Sequence, residues 1–197
     1  MKAANKVIRK LHSRAGTSLA EMLCCTLILL LVSGGMATGI SVAVRQYQSQ
    51  RELSNGKLLF STLQEAITAE LRYTGTVVTA NPGADSTEVL EFYSRSYSSR
   101  DSLSSLAAVD EDGYITDYGE LMLGDRNTGT DTPFSGLSLI SSASYADGLQ
   151  AGAEILCNCP EETFTVTLTI VSRTGEVLVS EEFDVQAVNE LTITAAE

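Results

Sequence analysis

The sequence predicts an α+β fold in which one long N-terminal helix packs on a C-terminal antiparallel β-sheet. Two observations support this prediction. An uncharged apolar run from Met22 to Val44 leads into a segment with helical periodicity. Beyond about residue 76, apolar residues alternate with polar ones, and a period of two is typical of strands that bury one face.

The apolar run from Met22 to Val44 is 23 residues long and ends at Arg45. As a helix it would measure about 35 Å, which is enough to cross a bilayer core of about 30 Å. Secretory signal peptides carry a shorter apolar stretch, of about 7–15 residues. We therefore predict a membrane-spanning helical half over residues 17–45.

Residues 46–75 are predicted to continue the same helix as an amphipathic half that faces the sheet. Tyr73, Thr74 and Gly75 supply the stop, with glycine in the position of a C-cap. The predicted buried stripe, spaced at intervals of three, four and seven residues, contains Leu53, Phe60, Leu63, Ile67 and Leu71.

The clearest predicted strand is Thr163–Val171, where threonines alternate with large apolar residues. A turn at Arg173–Gly175 follows it. Other predicted strands are Val89–Tyr93, a return strand through Val177–Val179 and Phe183–Val185, and an edge strand at Leu191–Thr194. Tyr114–Leu123 is predicted as a short hairpin, and residues 94–113 and 124–136 as loops.

The charge distribution predicts the orientation in the membrane. The chain has 13 basic and 25 acidic residues, and the first 16 positions hold five basic residues and no acid. The part after Gly16 carries a formal charge of −17. Since basic flanks stay in the cytoplasm, we expect a single-pass protein with a cytoplasmic N-terminus and an extracytoplasmic domain over residues 76–197. The acidic domain disfavours nucleic acid as a partner.

Residues 14–22, Arg-Ala-Gly-Thr-Ser-Leu-Ala-Glu-Met, resemble the prepilin cleavage and methylation motif of type IV pilins and pseudopilins. The resemblance implies that residues 1–16 are a basic leader, with Lys10 and Arg14 near its end. It also implies that a prepilin peptidase cuts between Gly16 and Thr17 and that Thr17 is then N-methylated. The expected fold is pilin-like, and residues 17–45 would form the helix of the membrane and of the filament core.

Glu21 is the fifth residue of the implied mature chain. A carboxylate at membrane depth is costly unless it is paired. The resemblance implies that Glu21 meets the N-terminal amine of a neighbouring subunit and sets the axial register of assembly. The alternative is that Glu21 only places a negative charge at the start of an ordinary anchor helix.

The resemblance implies a structural subunit, major or minor, of a type IV pilus, a pseudopilus or a competence-type filament. Its partners would be prepilin peptidase, other pilin subunits with their assembly machinery, and the cytoplasmic membrane. The assembled protein would lie in a cell-surface filament. An alternative is a single-pass anchored protein that binds a ligand at the surface and does not polymerise.

No catalytic residue, metal site or cofactor is predicted. The only histidine, His12, lies in the leader, so the mature chain would lack the usual general base. Two acidic stretches, Asp110–Ile115 and Asp125–Asp131, have some features of calcium loops. The first lacks both end ligands, and we interpret both stretches as solvated turns rather than calcium sites.

Three further features leave alternatives open. Cys157 and Cys159 either form a strained disulfide with each other, remain thiols, or are oxidised with a partner. Gly34, Gly35 and Gly39 either mark a point where the helix unwinds in filaments, as in the pilin family, or allow close helix packing. Five tyrosines in the C-terminal domain either serve adhesion or subunit contact, or pack on the sheet: Tyr93, Tyr97, Tyr114, Tyr118 and Tyr145.

Overall fold

The computed structural model describes residues 19–96, 103–125 and 132–196, except for the side chains of Ala37 and Cys159. The chain divides into two compact units, with the boundary between Gln48 and Ser49. The architecture is α+β: one long helix, α1 (Leu19–Arg72), precedes strands in two mostly antiparallel sheets. The predicted long helix and α+β class are therefore confirmed.

Ten strands follow α1 in the described residues. A six-stranded sheet has the order β10-β1-β2-β7-β8-β9, and a four-stranded sheet has the order β4-β3-β5-β6. The strands are β1 (Thr76–Thr79), β2 (Ser86–Phe92), β3 (Ser105–Val109), β4 (Ile115–Thr116), β5 (Glu120–Gly124), β6 (Gly136–Ser138), β7 (Gln150–Asn158), β8 (Thr163–Val171), β9 (Val177–Gln186) and β10 (Thr192–Ala195).

The core of the Ser49–Glu197 unit lies between the second half of α1 and the sheets. The alternation predicted for β8 is confirmed, because its apolar residues are fully buried while its threonines are half-buried. On the helix, Leu63, Ile67 and Leu71 are buried. The rings of Phe60 and Phe183 meet edge to face, with centroids 6.4 Å apart.

The prediction of a buried stripe on the helix is wrong for one residue. Leu53 is 39% exposed, whereas Leu59 is buried and was not assigned to the stripe. Gly56 is also buried, because the helix approaches β9 so closely there that an added Cβ would lie 3.3 Å from Cδ1 of Leu178. A glycine carries no hydrophobic signal, so the apolar pattern could not reveal this contact.

The predicted loop over residues 94–113 is wrong at β3. This strand is an inner strand of the smaller sheet, since it pairs with both β4 and β5. The predicted hairpin within Tyr114–Leu123 is also wrong, because its two strands, β4 and β5, both pair with β3 and not with each other. Gly124 and Gly136, the ends of the second predicted loop, are strand residues.

The sheet prediction needs two more corrections. The edge strand β10 pairs parallel with β1, so the larger sheet is mixed rather than purely antiparallel. Strand β7, which had no predicted counterpart, lies between β2 and β8. The turn at Arg173–Gly175 and the continuous return strand β9 are as expected.

Candidate anchoring segment and surface sites

The first half of α1 exposes its apolar side chains on all sides. No residue of its most apolar window is buried within the chain. Leaving one large apolar side chain in water costs about 1.5–3 kcal/mol, so the segment as a whole would cost tens of kcal/mol. The exposed apolar residues are Leu19, Met22, Leu23, Leu27, Ile28, Leu29, Leu30, Leu31, Val32, Met36, Ile40, Val42 and Val44.

Three hydroxyl groups in this segment bond to the helix itself. Oγ1 of Thr26 donates to the carbonyl of Leu23, and Oγ of Ser33 donates to that of Leu30, both at 3.0 Å. Oγ1 of Thr38 donates to the carbonyl of Gly35 at 2.9 Å. A polar side chain whose hydrogen bond is made internally is tolerated in hydrocarbon. In length and polarity, α1 is therefore able to span a membrane.

Glu21 lies in the first turn of α1 and is exposed. A carboxylate suits this position, since the helix macrodipole is positive at the N-terminus. The leader residues Lys10 and Arg14 and the predicted cleavage residues Gly16 and Thr17 lie outside the described residues.

The helix is continuous through Gly34, Gly35 and Gly39, where an added Cβ would meet no atom within 4 Å. This geometry suits the close approach of another helix and equally permits local unwinding, so both alternatives remain. Cys24 and Cys25 are exposed on the same segment.

The second half of α1 is held at both ends by polar contacts that the sequence did not reveal. At its start, Nδ2 of Asn55 donates to Oδ2 of Asp147 at 2.8 Å, and Arg51 forms an ion pair with Asp147 at 3.5 Å. Asp147 has a positive φ of 60°, a conformation that aspartate tolerates better than most residues. The Asp147-Gly148 pair is a turn signal that could have suggested this loop.

At its end, the backbone carbonyls of α1 receive donors from the last part of the chain. The amide of Val188 donates to the carbonyl of Arg72 at 2.8 Å, and Nδ2 of Asn189 donates to that of Tyr73 at 2.7 Å. The terminal carbonyls of a helix otherwise lack partners, so these two bonds stabilise the end of α1. Near the same end, Oγ of Ser94 donates to the side-chain carboxylate of Glu70 at 2.8 Å.

The alternatives for Cys157 and Cys159 remain open. Cys157 is fully buried at the end of β7, and the side chain of Cys159 lies outside the described residues.

For the acidic stretch Asp110–Ile115, the structure shows a turn. Oδ1 of Asp110 accepts from the amides of Asp112 and Tyr114, at 3.0 and 2.8 Å. Most of the stretch Asp125–Asp131 lies outside the described residues, and among those described no group of three potential ligands is placed to hold a metal ion.

The tyrosines fall into two groups. Tyr145 is half-buried, and its hydroxyl accepts from the amide of Leu121 at 2.9 Å, while burial raises its pKa to about 12. Burial also raises the pKa of Glu120, which accepts a hydrogen bond from Ser138. Tyr145 thus packs on the sheet. Tyr93, Tyr114 and Tyr118 are each about 40% exposed, and Tyr97 lies outside the described residues.

The described residues of the Ser49–Glu197 unit line concave surfaces that include the following two. One, of about 500 Å³, lies beside Tyr145, Glu120 and Arg173, where the aliphatic stem of Arg173 covers Gly148. The other, of about 530 Å³, lies along the outer faces of β2, β7 and β8, next to β3 and β4.

Comparison of the chain with models of protein families, with curated proteins and with solved structures finds no match.

Proposed function

We propose that this protein is a pilin-like subunit of a filament of the type IV pilus, pseudopilus or competence class. The observation that carries the proposal is α1 itself. Its first half is apolar and uncovered, and its second half is buried in the core of a β-rich unit. A helix of 54 residues that joins these two kinds of segment suits a subunit held in the membrane and then in a filament core.

The residues at the start of the chain support the same proposal. A basic leader ends at Gly16, and Glu21 is placed five residues into the implied mature chain and in the first turn of α1. In this proposal prepilin peptidase cuts after Gly16, Thr17 is methylated, and the acidic domain lies outside the membrane. The role is structural rather than enzymatic.

Replacing Glu21 tests the assembly role of its carboxylate. The variant Glu21→Gln keeps the size and polarity of the side chain but removes its charge, so it should insert in the membrane and fail to enter filaments. The matched control is Glu52→Gln, an exposed charge later on the same helix. Sheared filaments and membranes are assayed for the protein by immunoblotting.

Normal filament incorporation of Glu21→Gln would contradict the assigned role of Glu21. The alternative, an anchored surface protein that does not polymerise, predicts that neither variant nor the wild type appears in sheared filaments. Both proposals share the anchor helix, so membrane insertion does not separate them.

A further inference from the structure

The cleft of about 530 Å³ along the outer face of the larger sheet has the features of a ligand site. Its volume lies within the range of about 300–1,000 Å³ that is usual for small-molecule sites. Strand β8 contributes Thr167 and Thr169, whose side chains lie on the face opposite the core. Leu106 and Ile115 supply apolar surface from β3 and β4. All the lining residues belong to the Ser49–Glu197 unit.

An aromatic ring is held against the backbone at one side of this cleft. Tyr118 covers Gly152, where an added Cβ would lie 2.9 Å from Cδ1 of the ring and 2.6 Å from the carbonyl oxygen of Asp117. Only a glycine at position 152 allows this contact. Tyr118 is nevertheless 39% exposed, so it is held in place while part of it remains available to a ligand.

The charges of the cleft all have one sign. Glu88, Asp117 and Glu154 line it, and none of the described lining residues is basic. In the described part of the chain the one ion pair joins Arg51 to Asp147, so these three carboxylates have no cationic partner there. Such a cleft repels phosphates, sulfates and carboxylates, and it offers hydrogen-bond acceptors to hydroxyl and amino groups.

We propose that this cleft binds a neutral or amino-bearing oligosaccharide. The C–H face of a pyranose ring would stack on Tyr118, because a tyrosine offers an apolar ring face for this contact and a polar hydroxyl group at its tip. Its hydroxyl groups would donate to Glu88, Asp117 and Glu154 and exchange hydrogen bonds with Thr167. The lining extends over β2, β3, β4, β7 and β8, which favours an elongated ligand over a single basic side chain from a second copy. The proposal is independent of polymerisation, because no residue before Ser49 takes part.

Isothermal titration calorimetry of the full chain tests this proposal, in a zwitterionic detergent that has no sugar headgroup. The probes are cellotriose, which is neutral, chitotriose, which carries amino groups, and trigalacturonate, which carries carboxylates. We expect cellotriose and chitotriose to bind and trigalacturonate not to bind. Tyr118→Ala should weaken cellotriose binding about tenfold, because it removes the stacking surface.

Two matched controls accompany the test. Tyr114→Ala removes a tyrosine of nearly equal exposure, 40%, that lies outside the cleft, and it should leave the affinity unchanged. Glu154→Gln should weaken chitotriose binding, whereas Glu190→Gln, an exposed carboxylate elsewhere, should not. Glu154→Gln also keeps the test valid if Tyr118→Ala fails to fold, which circular dichroism would reveal.

Four results would overturn the proposal. One is the absence of binding by both cellotriose and chitotriose at millimolar concentration. Another is equal binding of trigalacturonate. A third is an affinity that neither Tyr118→Ala nor Glu154→Gln changes. The fourth is self-association in sedimentation that Glu154→Gln abolishes while no sugar binds, which would assign the cleft to a second copy of the chain.

Discussion

The two halves of α1 share one backbone and differ in what surrounds their side chains. In the first half Leu31 is 68% exposed, and in the second half Leu63 is fully buried. Three hydroxyl groups of the first half bond within the helix, whereas the second half bonds through Asn55 and Glu70 to other parts of its unit. The domain therefore supplies the environment of one half only. The other half needs an apolar environment from outside the chain.

Truncating a leucine in each half should give the largest contrast. Leu63→Ala should lower the free energy of unfolding of the Ser49–Glu197 unit by about 2–5 kcal/mol, because it leaves a cavity in the core. Leu31→Ala should change it by less than about 0.5 kcal/mol, since no part of the described chain covers Leu31. Urea unfolding of the full chain in detergent, followed by near-ultraviolet circular dichroism, measures both. Equal losses would contradict the division of α1 into two halves.

An arginine placed in each half should have its larger effect in the first half, which is the opposite of the leucine truncations. Leu31→Arg should oppose membrane insertion by about 3 kcal/mol, because an arginine near the centre of a spanning helix is costly. Leu58→Arg is the matched control, since Leu58 is also 68% exposed but lies in the Ser49–Glu197 unit. Carbonate extraction of membranes measures the inserted fraction. If Leu31→Arg stays inserted as fully as Leu58→Arg, the first half does not span the bilayer.

A glycine substitution in each half should give a smaller difference. Gly56→Leu should destabilise the unit by about 1–3 kcal/mol, because the helix lies against Leu178 there. Gly39→Leu has no neighbour to displace within the chain and should leave unfolding of the unit unchanged. Thermal melting compares the two variants. A stable Gly56→Leu protein would mean that α1 is not closely packed at this point.

Local patterns predicted α1 and β8 because their residues repeat at the spacing of one structure. Residues 163–170 alternate strictly, and α1 ends at Arg72, directly before the predicted stop at Tyr73–Gly75, although Gly75 does not have the positive φ of a glycine C-cap. Strand β7 had no such signal, because small residues, Ala151 to Ala153, precede a charged Glu154. Small residues are needed there since Tyr118 lies against Gly152, a contact between distant parts of the chain.

The partner of a strand is harder to predict than the strand. Strands β4 and β5 are short and close in sequence, which favoured a hairpin, but both bond to β3. That choice depends on long-range pairing rather than on local propensity. The same holds for the cleft, since Glu88, Tyr118 and Glu154 come from three separate segments that the sequence alone does not bring together. The apolar first half of α1, by contrast, is contiguous, and composition predicted it.

The most direct test of the proposed function is the mass of the mature N-terminus. The protein is purified from membranes of its native host, digested, and its N-terminal peptide analysed by mass spectrometry. The proposal predicts a peptide that begins at Thr17 and carries one methyl group on its amine. A chain that retains Met1, or one cut near Gly39, would contradict the assignment of Gly16 as the cleavage residue and of α1 as the helix of a filament subunit.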